Sequence, residues 1–303
     1  GFKVNPFSYK EYIKYTLKDG HDMNVFWEYV KWGGLPDVSS YNNTIKKKEY
    51  LSYVYDSIIL RDIVQRLGLK DVDLFNLIVG YLLETIGREF SAENISNYLK
   101  NEKRVVSTET IYTYLDALCK AFLIRKVYRY DVHGKATLKT LNKYYMTDLG
   151  LAVIKKNNPD IDSAYLLENV IYNELISRNY DVYIGKTKKG EIDFYASRFE
   201  DKMYIQVCSY LEKDSTIERE FGAYDCIKDN YPRYVLSLDE RDYSRDGIIH
   251  KNIIDWLLET EYPTDTEYLT SIPSYVAEME GIAEYEKNTS KKVFNPNKNS
   301  ENH

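Results

Sequence analysis

The sequence predicts a multi-domain α/β protein. It reads as a helical lead-in, then three helices closed by a two-stranded ribbon, then a mixed layer of strands and helices. Three observations predict this order. A glycine–proline stop, Gly33-Gly34-Leu35-Pro36, interrupts the first helices. The apolar period changes from helical to two at Leu123. Beyond residue 161, strands and helices alternate around a single hairpin. With 303 residues and 44% hydrophobic content, the chain can hold two or three small domains, each with a core.

The lead-in spans 1–66. Residues 7–16 and 24–32 have helical spacing, and the second helix stops at Gly33-Gly34 before Pro36. A longer helix is expected over 44–66, with Tyr50, Val54, Ile58 and Ile59 on one stripe. This segment reads as a lid or remnant of a preceding module.

Residues 67–150 form the second unit. Leu74, Leu77, Ile78, Tyr81 and Leu82 recur at helical spacing, and Gly87 closes that helix. Ser91 caps a second helix and Ser107 a third, whose stripe is Ile111, Tyr114, Leu115 and Leu118. Residues 123–130 alternate as a strand. His133-Gly134-Lys135 turns the chain, and a second strand lies near Lys143-Tyr144-Tyr145-Met146. Three helices followed by a ribbon is the order of a winged helix-turn-helix.

Residues 151–259 form the third unit: helix 164–178, strands 181–185, 191–197 and 203–209, helix 215–229, strand 233–238 and helix 249–259. The tail 260–303 keeps helical spacing from Leu269 to Ile282 and becomes rich in Asn, Lys and Ser after Glu286, the composition of a disordered extension.

Composition narrows the function. The net charge of −6 gives no global attraction to nucleic acid. Cys119, Cys208 and Cys226 are too scattered for a disulfide framework or metal cluster and fit a reducing cytosol, so a cytoplasmic protein is expected. No apolar run approaches the length of a membrane span. The four histidines have no metal-ligand spacing, and no Ser-His-Asp arrangement can be argued. The 31 tyrosines have no evident reason beyond replacing Phe at half-buried positions.

Charge is nonetheless uneven. Between Tyr98 and Lys143 there are ten lysines and arginines against four acids. A local basic surface would supply phosphate contacts. The expected nucleic-acid contacts are Lys103, Arg104, Thr108, Thr110, Arg125, Lys126, Arg129 and Lys135. Helix 108–119 would be the recognition helix, although Glu109 at its start opposes a phosphate. The alternative is a domain that docks a neighbouring module through solvated basic residues.

The most informative segment is Gly190-Glu191-Ile192-Asp193-Phe194, followed by Tyr204-Ile205-Gln206-Val207-Cys208. This hairpin resembles the one that places an Asp and a Glu-x-Lys around magnesium in restriction-endonuclease-like folds. Glu168, Asp193, Gln206 and Cys208 are the candidate catalytic residues, and Glu168 and Asp193 the candidate Mg²⁺ ligands. Gln206 lacks the charge that offsets dehydrating magnesium, and Cys208 carries no cation for the transition state. A bland reading also exists, in which Glu191 and Asp193 are polar residues on an exposed hairpin.

Several segments together resemble a large prokaryotic family of AAA-type ATP-binding proteins with an uncharacterised C-terminal domain. They are Pro6-Phe7-Ser8-Tyr9-Lys10-Glu11-Tyr12, Gly33-Gly34-Leu35-Pro36, Ile58-Ile59-Leu60-Arg61-Asp62-Ile63, Leu167-Glu168-Asn169-Val170-Ile171-Tyr172-Asn173-Glu174-Leu175, Glu191-Ile192-Asp193-Phe194 and Asp229-Asn230-Tyr231-Pro232-Arg233-Tyr234. The resemblance implies an ATPase whose C-terminal half joins a winged helix to a restriction-endonuclease-like domain. Many members carry Gln-Val where active nucleases carry Glu-Val. No Gly-x-x-x-x-Gly-Lys-Ser/Thr is present, so ATP belongs to the parent protein, and this chain, opening at Gly1, reads as a fragment inactive alone. The expected partners are DNA, the N-terminal ATPase module and a second copy of the chain. The expected function is a DNA-interacting module with a degenerate nuclease-like domain. An active magnesium-dependent nuclease and a protein-interaction or regulatory module are the alternatives.

Overall fold

The structure, a computed structural model, describes residues 5–69, 71–101, 103–154 and 163–259. The tail expected beyond 260 lies outside the described residues.

The lead-in is helical, as its spacing predicts. Helices α1 (Tyr9–Thr16), α2 (Met23–Trp32), α3 (Pro36–Ser39) and α4 (Thr44–Ser57) follow one another, and α4 runs on into a π-helical segment, Ile58–Gln65. Ser8 closes a capping box with Glu11 at the start of α1. Gly33 ends α2 with a positive φ of 78°.

The Gly33-Gly34 pair does more than stop a helix. Helix α8 (Leu149–Val153) is capped by Asp148, whose carboxylate also accepts the Gly34 N–H at 2.7 Å. A Cβ on Gly33 would lie 2.0 Å from Asp148 Oδ1, and one on Gly34 would lie 2.3 Å from the Phe7 carbonyl oxygen. On the other side, a Cβ on Gly150 would lie 2.2 Å from the Trp32 carbonyl oxygen. These glycines let two backbones close on one buried carboxylate.

Helices α5 (Val72–Glu84), α6 (Ala92–Asn101) and α7 (Thr108–Lys120) precede strands β1 (Ile124–Asp131) and β2 (Ala136–Met146). Ser107 caps α7 by accepting from Thr110 N. Then come α9 (Ser163–Ser177), β3 (Asp181–Lys186), β4 (Glu191–Arg198), β5 (Asp201–Val207), α10 (Asp214–Gly222), β6 (Arg233–Ser237), β7 (Ile249–Asn252) and α11 (Ile253–Leu258).

The seven strands make one mixed sheet in the order β2-β1-β3-β4-β5-β6-β7. β1–β2, β3–β4 and β4–β5 are antiparallel, while β1–β3, β5–β6 and β6–β7 are parallel. The sheet therefore runs across the expected boundary at 150/151. Pairing of Arg129, Tyr130 and Asp131 with Ile184, Gly185 and Lys186 joins the ribbon to the α/β layer. One face packs Tyr145, Phe194, Ile205 and Leu236 in the same core as Leu167, Val170, Ile171 and Leu175 of α9. The other buries Ile192, Tyr195, Tyr204 and Val235 with Phe221 and Tyr224.

Two elements differ from the sequence expectation. The helix expected over 215–229 stops at Gly222, because Tyr224 and Ile227 turn into the second core and the Tyr224 hydroxyl donates to the Tyr234 carbonyl. The helix expected over 249–259 begins as strand β7, paired with β6. Asn252 then caps α11 by accepting from Ile254 N and Asp255 N.

Candidate functional site

Glu168 from α9, Glu191 and Asp193 from β4, Gln206 from β5 and Lys143 from β2 meet at one end of the sheet. Each is placed by its element. Glu168 sits within a helix buried on nearly every side. The β4–β5 register pairs Phe194 with Ile205, and Gln206 Oε1 accepts the Asp193 N–H at 3.2 Å. Lys143 follows the buried Asn142 and precedes the buried run Tyr144-Tyr145-Met146 on β2.

The contacts are close and internal. Lys143 Nζ lies 2.6 Å from Glu191 Oε1 and 3.5 Å from Glu168 Oε2. The Tyr145 hydroxyl donates to Glu168 Oε2 at 3.0 Å. Asp193 Oδ2 accepts the Val207 N–H at 2.8 Å. Arg129 Nη2 is 2.5 Å from Glu191 Oε2 and also pairs with Glu89. Asp193 is 9% exposed, which removes the reading of an exposed hairpin for this residue.

Electrostatics follows from that burial. Burial and the neighbouring Glu168 charge raise the Asp193 carboxyl well above the usual carboxylate range. Burial likewise raises Glu168, against the opposing pull of Lys143. Burial acts upward on Glu191 too, but Lys143 and Arg129 outweigh it and hold that carboxylate below its ordinary value. Burial alone would strip the Lys143 proton, yet Glu168, Asp193 and Glu191 together raise its pKa above the usual lysine value. Lys143 is therefore a charged ammonium held among three acids, and burial favours the protonated forms of Asp193 and Glu168.

Of the four candidate catalytic residues, Glu168, Asp193 and Gln206 converge. Cys208 does not join them: it lies past the end of β5, in the second core with Leu211 and Tyr224. Burial pushes its thiol far up, the opposite of an activated nucleophile. The residues present do not fit a magnesium ion, because an ammonium already contacts both Glu168 and Glu191 and the Gln206 oxygen is engaged by backbone. Among the described residues, no three His, Cys, Asp or Glu are grouped to hold a metal.

The residues expected to meet DNA divide sharply. Arg129 is turned inward, and Arg125 bonds Asn5 and Asn173 across the unit. Arg104 pairs with Asp71, and Thr110 interacts with the capping Ser107. Lys103, Thr108 and Lys135 are exposed, and Lys126 is half-buried with its ammonium 5.0 Å from the Tyr128 ring centroid. The outer face of α7 carries Glu109, Tyr112 and Asp116. Arg125, Arg129 and Lys143 are thus three cations of the counted ten that the fold uses internally.

Sequence reasoning missed the role of Lys143, which it counted toward a basic surface. The signal was its position beside an apolar strand run, where a solvated lysine does not belong. A second polar knot was also missed. Ser237 and His250 Nε2 are 2.8 Å apart, and Ser237 is 2.7 Å from Asp239 Oδ2. Tyr243 N–H donates to His250 Nδ1, so Nε2 carries the proton and donates to Ser237. That direction is the reverse of a serine nucleophile and its base.

Comparison with known proteins finds similarity in the first half of the chain and over most of its length. Residues 23–160 match the family model described as a domain of unknown function (DUF8612). The match starts at α2 and crosses the expected boundary at 66/67 to reach beyond the ribbon. An uncharacterized protein of Haemophilus influenzae is 34% identical over 261 residues, which is 85% of this chain and 64% of that protein. Uncharacterized protein MJ1544 of Methanocaldococcus jannaschii is 28% identical over 246 residues, 75% of this chain and 54% of its own length. The chain thus spans less than two thirds of either relative. No helix among the described residues is long and apolar enough to cross a membrane.

Proposed function

We propose that the chain is the part of an AAA-type ATPase beyond its ATP-binding core, and that its nuclease-like sheet is an interaction scaffold that does not cut. The order α9–β3–β4–β5–α10–β6, with three antiparallel strands and a parallel fourth, supports a restriction-endonuclease-like reading of residues 163–237. The three helices and ribbon before it support a winged helix. The ATPase assignment rests on the sequence resemblance and agrees with relatives longer than this chain.

The observation that carries the non-cutting reading is Lys143 lodged between Glu168 and Glu191. A phosphodiesterase notch needs carboxylates free to hold metal and a water-activating group. Here the carboxylates are spent on side chains and backbone of the same chain. The test is incubation of the purified chain with supercoiled plasmid and Mg²⁺ or Mn²⁺. No nicking is expected. Cleavage that disappears in Asp193→Ala would establish an active nuclease instead.

Contact with DNA is the second reading, favoured by the exposed Lys100, Lys103 and Lys135 and by Lys126. It predicts weak, salt-sensitive binding, with each lost phosphate contact lowering the salt slope by roughly one. A Lys126→Ala/Lys135→Ala chain that binds duplex DNA as tightly and with the same salt slope as the parent would assign those lysines to solvent.

A further inference from the structure

We infer that the cavity beside Arg125 binds a small monovalent carboxylate, formate in size, as the counter-ion that the fold itself does not give this arginine. The cavity lies where the lead-in meets the end of the ribbon and α9. Ser8, Arg125, Thr147, Asn173 and Ser177 line it, and its interior leaves about 20 Å³ for the centres of water-sized molecules. That admits a group the size of one or two waters and nothing as large as a nucleotide. Arg125 comes from the start of β1 and is half-buried. Its Nη2 donates to Asn5 Oδ1 at 2.8 Å and its Nη1 to Asn173 Oδ1 at 3.4 Å. Both acceptors are neutral amides. Two of the five N–H groups of the guanidinium are thus engaged, and Nε has no hydrogen-bond partner among the described residues. The Thr147 hydroxyl has none either, although Thr147 is only 9% exposed.

The fully buried cations show what is missing. Among the described residues, Lys47 meets Glu28, Arg129 and Lys143 meet Glu191, and Arg178 meets Glu174. Arg125 meets no carboxylate there. Burial lowers its pKa, and the opposing pull comes from the Tyr172 phenol. An arginine does not escape burial by shedding its proton, as a lysine can. A guanidinium drawn from water without a counter-charge is costly, and a planar carboxylate matches its fork with two parallel bonds. Asp148 lines the cavity too, but its oxygens accept the Gly34 and Gly150 N–H groups. Its charge serves the backbone clamp and leaves Arg125 unbalanced. The inference is separate from the acid notch and does not rest on the nuclease-like or DNA reading.

The test uses the 303-residue chain with sodium formate as probe. Sodium chloride and the sodium salt of HEPES, a bulky sulfonate, are the controls at equal ionic strength. A three-atom ligand binds no more tightly than roughly millimolar, so formate is titrated through that range. The parent should melt progressively higher in formate than in either control, and the formate proton signal should broaden in its presence. Arg125→Gln should lose both responses. Asn5→Asp sets a carboxylate where the Asn5 oxygen now lies 2.8 Å from Nη2, and should lose them while keeping the arginine. If Arg125→Gln does not fold, Asn5→Asp decides alone. A parent that responds no more to formate than to HEPES overturns the inference. So does chloride that matches formate, or a formate response that survives in either variant. Nicking of plasmid and salt-dependent DNA binding are read separately, so failure here is distinguishable from failure of the functional reading.

Discussion

Asp148 shows how much one residue can organise. It is 3% exposed, caps α8 through Gly150 N–H and receives Gly34 N–H from the lead-in. Burial raises its pKa to about 6, against the opposing pull of those N–H groups. The folded value lies above that of an unfolded Asp, so the native state holds the proton more tightly. The stabilisation from that proton is complete below about pH 4 and is lost as pH rises towards 6. Asp148→Asn should therefore flatten this part of the stability–pH profile relative to the parent, read from urea midpoints between those pH values. His250 acts in the other direction. Burial lowers its pKa, so the neutral ring is the folded form, and its contribution is lost as pH falls below about 6.5. His250→Gln should remove that acid-side decline. The glycine clamp gives a sharper steric test. Gly34→Ala forces a Cβ against the Phe7 carbonyl and should cost about 1–3 kcal/mol by denaturant melting, as other overpacked sites do. Gly33-Gly34 was legible as a helix stop. Its closeness to Asp148 was not, because a contact between residues 114 apart leaves no periodic trace.

At the scale of elements, the strongly periodic segments were legible and the short apolar ones were not. The helices with stripes and serine or aspartate caps appear where spacing puts them, and α7 begins after Ser107. Residues 249–258 carry Ile249, Ile253, Ile254, Trp256 and Leu257, a pattern compatible with a single helix. The pairing of Ile249–Asn252 with β6 takes the first four residues into the sheet. Asn252 is the hinge between the two states, and Asn252→Ala should cost about 1 kcal/mol in thermal unfolding through loss of the cap. The surplus of tyrosine also gains a structural reason. Tyr130 stacks on Tyr195 at 4.6 Å between ring centroids, Tyr195 lies 5.3 Å from Tyr204, and Tyr204 lies 6.3 Å from Tyr231. These rings run across β1, β4 and β5 to the loop before β6, half-buried at the margins and buried at the centre, where a phenol serves both core and rim. Cross-strand aromatic pairs cannot be read before the register is known. The hairpin acids were legible because they are local; the role of Lys143 was not, since it reaches them from another strand.

For the whole molecule, the decisive feature is that ribbon and α/β layer share one sheet. A winged helix read from element order invites a cut at 150/151, yet three kinds of interaction cross that line. Parallel pairing of β1 with β3 supplies backbone hydrogen bonds. Arg129 and Lys143 on the ribbon hold Glu191 and Glu168 beyond it. Asn169 brackets Met146 by accepting its N–H and donating to its carbonyl, at 2.8 and 2.9 Å. A fragment of residues 67–150 would leave Arg129 and Lys143 without Glu191 and Glu168, and would open the β1 edge to solvent. Stranding one partner of a buried ion pair costs about 3–5 kcal/mol, a large part of the total stability of a small domain. The fragment should therefore show helical far-UV dichroism at most and no cooperative melt. The whole chain should lose the signals of ribbon and α/β layer at one midpoint. Two separate transitions in the whole chain, one assigned to 67–150 by hydrogen exchange, would mean that the sheet is two units in contact and not one.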